Sequence, residues 1–417
     1  MSDGTLQTLD VSMLDDVNNA SGLIQLDSNA KIPACSGAAI TGLSSVTKNA
    51  SDPAVATNPS GGVGSVWQNT TSGNMFICTD ATAGSNVWTN IGAGTGNIKP
   101  FSMQGSNYGY CAGGYSWNGS VANYENIDRW SYDSNGNAVD VGDLEVQFAS
   151  GAQQGFYEGG SASSETHGYV LGGGGMRDDV EKYSFATATE NASKVGDLVV
   201  PGNQQAASDG TNAYMFGWTE PMNATRGWGW DGIQKYVYAT DVCTDSTANL
   251  SSIRSYHVMT QSATHAYCVG GRLNAGDATG TDSIDKWQFA TTNDATDVAN
   301  LLGTRRNSGW GSSSTTHGYV AGGVPTTHNT NPMNSIEKHQ FSNDADSTDV
   351  GDLLSGATWG FGSNSSTTHG YGFGHNDGVQ SYQFTNEITR FAFSVDGNAT
   401  DVGDLSLLRG QSQGHQF

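Results

Sequence analysis

The chain has 417 residues, 57 of them glycine, with 40 acidic side chains against 17 basic ones and a net charge of −23. That balance excludes nucleic acid as a partner, since its phosphates need lysine and arginine, and argues equally against an anionic membrane surface. The glycine content, 14% charged and 10% aromatic residues fit a turn-rich all-β protein; with no long apolar run and no secretory signal, neither a membrane span nor standard export is expected.

Residues 1–58 are polar and weakly patterned, except around Leu23-Ile24-Gln25-Leu26-Asp27-Ser28-Asn29-Ala30-Lys31-Ile32-Pro33. Residues 59–96 follow as a small β module. Val66-Trp67-Gln68-Asn69, Met75 to Asp80 and Val87-Trp88-Thr89-Asn90 read as three short strands, the first two joined by a Thr-Ser-Gly-Asn turn. Both segments resemble modules found near the N-termini of bacteriophage tail fibres. That resemblance implies a virion protein that attaches to other virion proteins through residues 1–96 and assembles as a homotrimer. A region this small is expected to need partner chains to complete its core. Gly92-Ala93-Gly94-Thr95-Gly96 reads as the boundary linker.

Residues 97–417 carry a sixfold repeat. A Gly/Ala-Tyr element recurs at Tyr110, Tyr169, Tyr214, Tyr267, Tyr319 and Tyr371, and a strand opens at Ile127, Val180, Ile233, Ile284, Ile336 and Ile388. Each repeat closes on a leucine at Leu144, Leu198, Leu250, Leu301, Leu353 or Leu405. The spacing from Ile/Val to leucine is 17 residues in five repeats and 18 in the second. The spacing from tyrosine to Ile/Val is 17 in four repeats, 11 in the second and 19 in the third, so one half is rigid and the other elastic. Ile284-Asp285-Lys286-Trp287-Gln288-Phe289 alternates as a half-buried strand does, and Ser134-Asn135-Gly136-Asn137 supplies hairpin turn chemistry. Each repeat therefore reads as a four-stranded meander of propeller-blade size.

Tyr319-Val320-Ala321-Gly322-Gly323 followed by Lys338-His339-Gln340-Phe341 resembles the kelch repeat, with its Gly-Gly strand end and spaced aromatic pair. Asp-Val-Gly-Asp-Leu stands where that family carries a tryptophan. The expected fold is all-β: a six-bladed kelch-like β-propeller preceded by a small, mostly β attachment and oligomerisation region. Pro100-Phe101-Ser102 aligns with Gly309-Trp310-Gly311, yet the tail from Leu407 to Phe417 repeats the same element. The sequence leaves open which of the two supplies the innermost strand of the first blade.

In such a fold the elastic loops share one face with the connections between blades. Trp218, Trp228 and Trp230 crowd one of them, and Tyr115 and Trp117 another. Flat aromatic side chains suit sugar rings, so these five are the candidate binding residues for a host-surface glycan or receptor. The opposite face is expected to carry the Asp-rich hairpins, for which a Ca²⁺ role stays open, and His167, His265, His317 and His369. Those four read as duplicated turn residues. Cys35, Cys78, Cys111, Cys243 and Cys268 are odd in number and are expected to be unpaired. No catalytic motif, metal site or cofactor is expected. A tail fibre with a receptor-binding head is thus the leading expectation. A capsid or tail decoration without receptor binding, or a surface-polysaccharide depolymerase, are the alternatives.

Overall fold

The computed structural model describes residues 46–91, 101–117, 121–145, 159–174, 177–186, 191–202, 204–221, 228–273, 280–305, 309–325, 332–356, 362–376 and 384–417. They form strands and turns with no helix, and divide into two compact units between Pro100 and Phe101.

The first unit is one four-stranded sheet. Val66–Asn69, Met75–Asp80 and Val87–Asn90 are antiparallel neighbours, and Thr47–Asn49 adds a parallel edge strand. Alternation puts Trp67, Phe76, Cys78 and Trp88 on one side, all buried, with the two indoles edge to face at 6.0 Å. One expected boundary shifts. The sheet begins before residue 59, and Asn86 Nδ2 donates back to Val55 O and Asn58 Oδ1 at 2.9 and 2.7 Å. Residues 1–45, with Leu23 to Pro33 and Cys35, lie outside the described residues.

The second unit is a six-bladed β-propeller. In the fifth blade, Trp310–Ser313, His317–Ala321, Ser335–Gln340 and Thr348–Asp352 form an antiparallel meander from the axis outward. The other innermost strands are Gly160–Ser163, Gln205–Ser208, Val258–Gln261, Gly362–Ser365 and, for the first blade, Gln413–Gln416. The tail therefore takes the inner position, pairing Gln413 with Ala112 and His415 with Tyr110. Phe101 to Gly105 does not join that sheet, and the alignment of Pro100-Phe101-Ser102 with an inner strand fails.

The repeat residues explain how blades adhere. Every repeat tyrosine stacks or tilts against the second aromatic of the next blade: Tyr110 on Phe185, Tyr169 on Tyr238, Tyr214 on Phe289, Tyr267 on Phe341, Tyr319 on Phe393, and Tyr371 back onto Tyr132. Centroid separations run from 4.1 to 5.4 Å, and each such pair adds about 0.5–1.5 kcal/mol beyond area burial. The glycine before the tyrosine makes room for the first aromatic. At Gly318 a Cβ would stand 2.2 Å from His339 Nε2. Gly322 and Gly323 take φ of 69° and 99°, a left-handed pair at the strand end that residues with a Cβ avoid.

A second set of junctions is polar and buried. The carboxylates one residue after the strand-opening Ile, Asp128, Asp285 and Glu337, each accept a backbone N–H of the preceding blade's exit: Ser406, Ser251 and Leu302, at 2.7 to 2.8 Å. Each also pairs with an arginine of that exit: Arg409 at 2.8 Å, Arg254 at 3.0 Å and Arg305 at 2.5 Å. All six side chains are at most 2% exposed.

Candidate functional site

On the hairpin face, the Asp-rich turns are structural clamps. Asn137, Asn191, Asp294, Asp346 and Asn398 each accept a backbone N–H from the outer strand of the preceding blade, at 2.8 to 3.2 Å. Asp344 and Asp396 take Lys286 and Lys338 across the same junctions at 2.8 and 2.6 Å. Their carboxylates are thus engaged by the neighbouring blade. His167, His265, His317 and His369 each place Nδ1 2.8 Å from the preceding threonine hydroxyl, and each backbone N–H donates to a serine Oγ three residues back. They are turn residues of four separate blades. Elsewhere Asp178, Asp179 and Asp197 come together, but Lys194 bridges Asp179 and Asp197 at 2.5 and 2.7 Å and Arg177 also pairs with Asp179. Cys78, Cys111, Cys243 and Cys268 are free thiols, and burial raises the pKa of Cys111 to about 11.

The opposite, crossover face carries the loops between the second and third strands of each blade. Much of these loops lies outside the described residues, including 118–120, 222–227, 274–279, 326–331 and 377–383, as does 146–158, the connection from the first blade to the second. The third blade stands out. Its middle strands, Asn212–Pro221 and Trp228–Val237, are ten residues each, longer than their counterparts in other blades. Trp218 is the register partner of Trp230, and Pro221 that of Trp228, with bulges between. Trp230 is half-buried, packs on Val200 and lies over Gly232, where a Cβ would meet the indole at 2.2 Å. Tyr115 is in the first blade, its strand tied to Gly410 by bonds of 2.9 and 3.0 Å and its ring edge-on to Phe384 at 5.2 Å. Trp117 is two residues further on the same short strand, Tyr115–Trp117. The candidate aromatics therefore share a face but sit in different packing environments, Tyr115 against the sixth blade and Trp230 against the exit of the second.

The feature that sequence reasoning missed is the axial channel, with a cavity of about 140 Å³. Its hairpin end is ringed by Ser163, Ser208, Gln261, Ser313 and Ser365. Gln261 N donates to Ser313 Oγ and Ser313 N to Ser365 Oγ, both at 2.9 Å, while Ser208 N donates to Gln261 Oε1 at 2.9 Å. Gln416 N donates to Ser163 Oγ at 3.2 Å and carries the ring into the closing strand. Toward the crossover face the wall includes Tyr256, His257, Gln411 and Ser412. His257 is 2% exposed. Burial and the charge of Arg254 push its pKa down to about 3, so its imidazole is neutral. One weak signal was available: Arg254 and Arg409 stand four residues after a repeat leucine, and Tyr256 and Gln411 two further on.

These observations define the chain as a two-unit all-β protein whose larger unit is a closed six-bladed propeller. The solved structure of YjhT is similar to it, with a TM-score of 0.53 at 13% sequence identity over 62% of this chain and 86% of that one. That likeness supports the propeller fold. No protein-family model and no curated protein sequence matches the chain.

Proposed function

We propose that the chain is a bacteriophage virion protein, a tail fibre whose propeller is the head that binds a glycan receptor on the host surface. The N-terminal unit is then its attachment to the particle. The observation that carries this reading is the extended hairpin of the third blade, in which Trp218 pairs with Trp230 and Trp228 with Pro221 toward the crossover face. Aromatic rings supply large contact area at small conformational cost, and a sugar ring presents the complementary flat C–H face. Trp228 is the residue to test. Trp230 also packs on Val200, so its loss removes core contacts as well. Trp228→Ala is expected to weaken adsorption to host cells while leaving the thermal transition unchanged. Normal adsorption by the folded variant would remove the hairpin from the receptor site. The packing of Trp230 favours the runner-up, a virion decoration without receptor binding, which immunogold labelling away from the tail tip would support.

A further inference from the structure

Each blade carries a cation two residues after its strand-opening Ile or Val: Arg129, Lys182, Lys235, Lys286, Lys338 and Arg390. Three of them are engaged by the neighbouring blade, Lys182 by Asp241 at 3.1 Å, Lys286 by Asp344 at 2.8 Å and Lys338 by Asp396 at 2.6 Å. Asp344 and Asp396 each stand five residues before the next Asp-Val-Gly-Asp, and the first blade has Asn135 at that position. Arg390 of the sixth blade bonds Tyr371 Oη at 3.4 Å and pairs with no carboxylate among the described residues. The first-blade hairpin thus lacks the acid that the fifth and sixth carry.

Arg129 is turned to a different neighbour. Its guanidinium lies over the ring of Tyr108, 4.7 Å from the centroid, and Tyr108 stands where four other blades carry His167, His265, His317 and His369. Stacking of this kind holds a guanidinium by its flat face and leaves the N–H groups at its edge for a planar acceptor. No carboxylate pairs with Arg129 among the described residues. A groove of about 210 Å³ opens beside it, walled by Tyr108, Arg129, Ser131, Ser134, Asn135 and Asn137. The hairpin wall is fixed by the sixth blade. Gly136 N donates to Val402 O at 2.8 Å, Ala138 N to Asp404 O at 2.7 Å, and Asn137 Oδ1 accepts Asp404 N at 3.2 Å. Ser134 and Asn135 are exposed, and neither side chain is bonded to another protein group among the described residues.

These neighbours set the chemistry of what fits. The described lining holds one cation and no Asp or Glu; the turn's own acid, Asp133, is exposed and outside it. At physiological salt, charges beyond about 8 Å are screened, so the guanidinium outweighs the chain's net charge of −23 at this spot. One guanidinium fork matches one carboxylate, bidentate and in plane, whereas a phosphate dianion would stay half neutralised. A cavity of about 150 Å³ takes up benzene. This groove is larger and open to solvent, so it has only to seat a carboxylate and the carbons next to it while the rest of the ligand stays outside. The Ser134 hydroxyl and the Asn135 carboxamide are then available to hydroxyls beside that carboxylate. We propose that the groove is a binding site for the carboxylate group of a small organic acid, held by the Arg129 fork. It lies on the hairpin face, in a different blade from the tryptophan hairpin, and does not rest on the receptor reading.

The experiment is calorimetry and ligand-detected NMR on the full chain with glucuronate and acetate, beside glucose and inorganic phosphate. Glucuronate is expected to bind, and glucose and phosphate are not. Acetate separates the sources of the acid. Acetate binding as tightly as glucuronate would assign the site to the carboxylate alone, and weaker acetate binding would add sugar hydroxyls on Ser134 and Asn135. Two substitutions import residues that other blades already hold, so both variants are expected to melt with the native chain. Arg129→Lys installs the side chain of Lys286 and Lys338, keeping the charge and removing the fork; it should lower affinity about tenfold or more. Asn135→Asp puts into the groove the acid found at Asp344 and Asp396, and should abolish binding by repelling the anion. The proposal is overturned if neither carboxylate binds, if glucose or phosphate binds as tightly as glucuronate, or if binding survives both substitutions.

Discussion

Arg254, Arg305 and Arg409 each stand four residues after the leucine that closes a repeat, and each ends in a carboxylate of the next blade. Removing one partner leaves the other buried and unpaired, so Arg254→Met should cost about 3–5 kcal/mol in urea unfolding. Arg254→Met with Asp285→Asn should recover part of that, because asparagine still offers an oxygen to the Ser251 N–H, bonded at 2.8 Å in the native chain. A single variant as stable as the native chain would show the pair to be idle. Histidines set a different residue-scale prediction. His339 and His257 are depressed to about 3 and His415 to about 4, in each case first by burial. His339 also feels His317, which lowers it, and Asp344, which raises it. Unfolded histidine titrates near about 6.5, so the unfolded chain takes up protons first as the pH falls. Stability is therefore full above about pH 6.5 and drains toward the folded values, at about 1.4 kcal/mol per pH unit for each residue. The lowered carboxylates Asp179 and Asp209 act only below about pH 4, near the unfolded carboxylate range. Melting scans between about pH 7 and about pH 4.5 should show the loss, and His339→Phe should remove one residue's share of it. An unchanged melting temperature across that window would contradict the burial of these rings.

The element on which the ring depends is the closing strand, Gln413–Gln416. With Leu407 to Phe417 deleted, the edge of Tyr108–Ala112 is bared, Asp128 loses Arg409, and Phe417 leaves its stack on Phe185 at 5.4 Å. A chain ending at Ser406 should melt well below the full protein and aggregate through that exposed edge. An equal melting temperature would mean that the ring does not need its tail. This element also marks the limit of what the sequence made legible. Blade number, strand order and the Asp-Val-Gly-Asp outer strands were readable because each repeats the same local chemistry: alternation, Gly-Gly, an aromatic pair. The choice between Phe101 and the tail for the inner strand was not, because inner strands are short and rich in small residues, and long-range pairing rather than local preference decides between them. The channel was illegible for a related reason. It takes only a few residues from each blade, scattered over the whole propeller, so His257 and Asn364 belong to no motif. The buried arginine pairs were within reach, since an acid after the Ile and an arginine four residues after the leucine both recur at repeat positions.

At the scale of the whole molecule, the two units bury their edges differently. The propeller closes on itself, and its outward strands discourage further pairing: Val139–Asp143, Thr348–Asp352 and Thr400–Asp404 each present two aspartates on an open edge. Negative side chains on exposed edges repel a second copy. The N-terminal sheet has a four-residue core and a parallel edge strand, Thr47–Asn49, whose side chains are all exposed. Association is therefore expected to reside before Phe101. The full chain should run as a trimer in light-scattering chromatography, and residues 101–417 as a folded monomer. Three heads on one stalk would then convert weak single-sugar contacts into firm attachment, because the second and third contacts form at the high effective concentration set by the first. The same comparison measures that gain: trimer and monomer should bind a soluble sugar equally, while the trimer should hold a glycan-coated surface about 10²–10⁴ times more tightly. A full chain that stays monomeric would remove the multivalent attachment on which the fibre reading depends. A propeller fragment that trimerises alone would instead place the contact on the blades, against the charge on their outer edges.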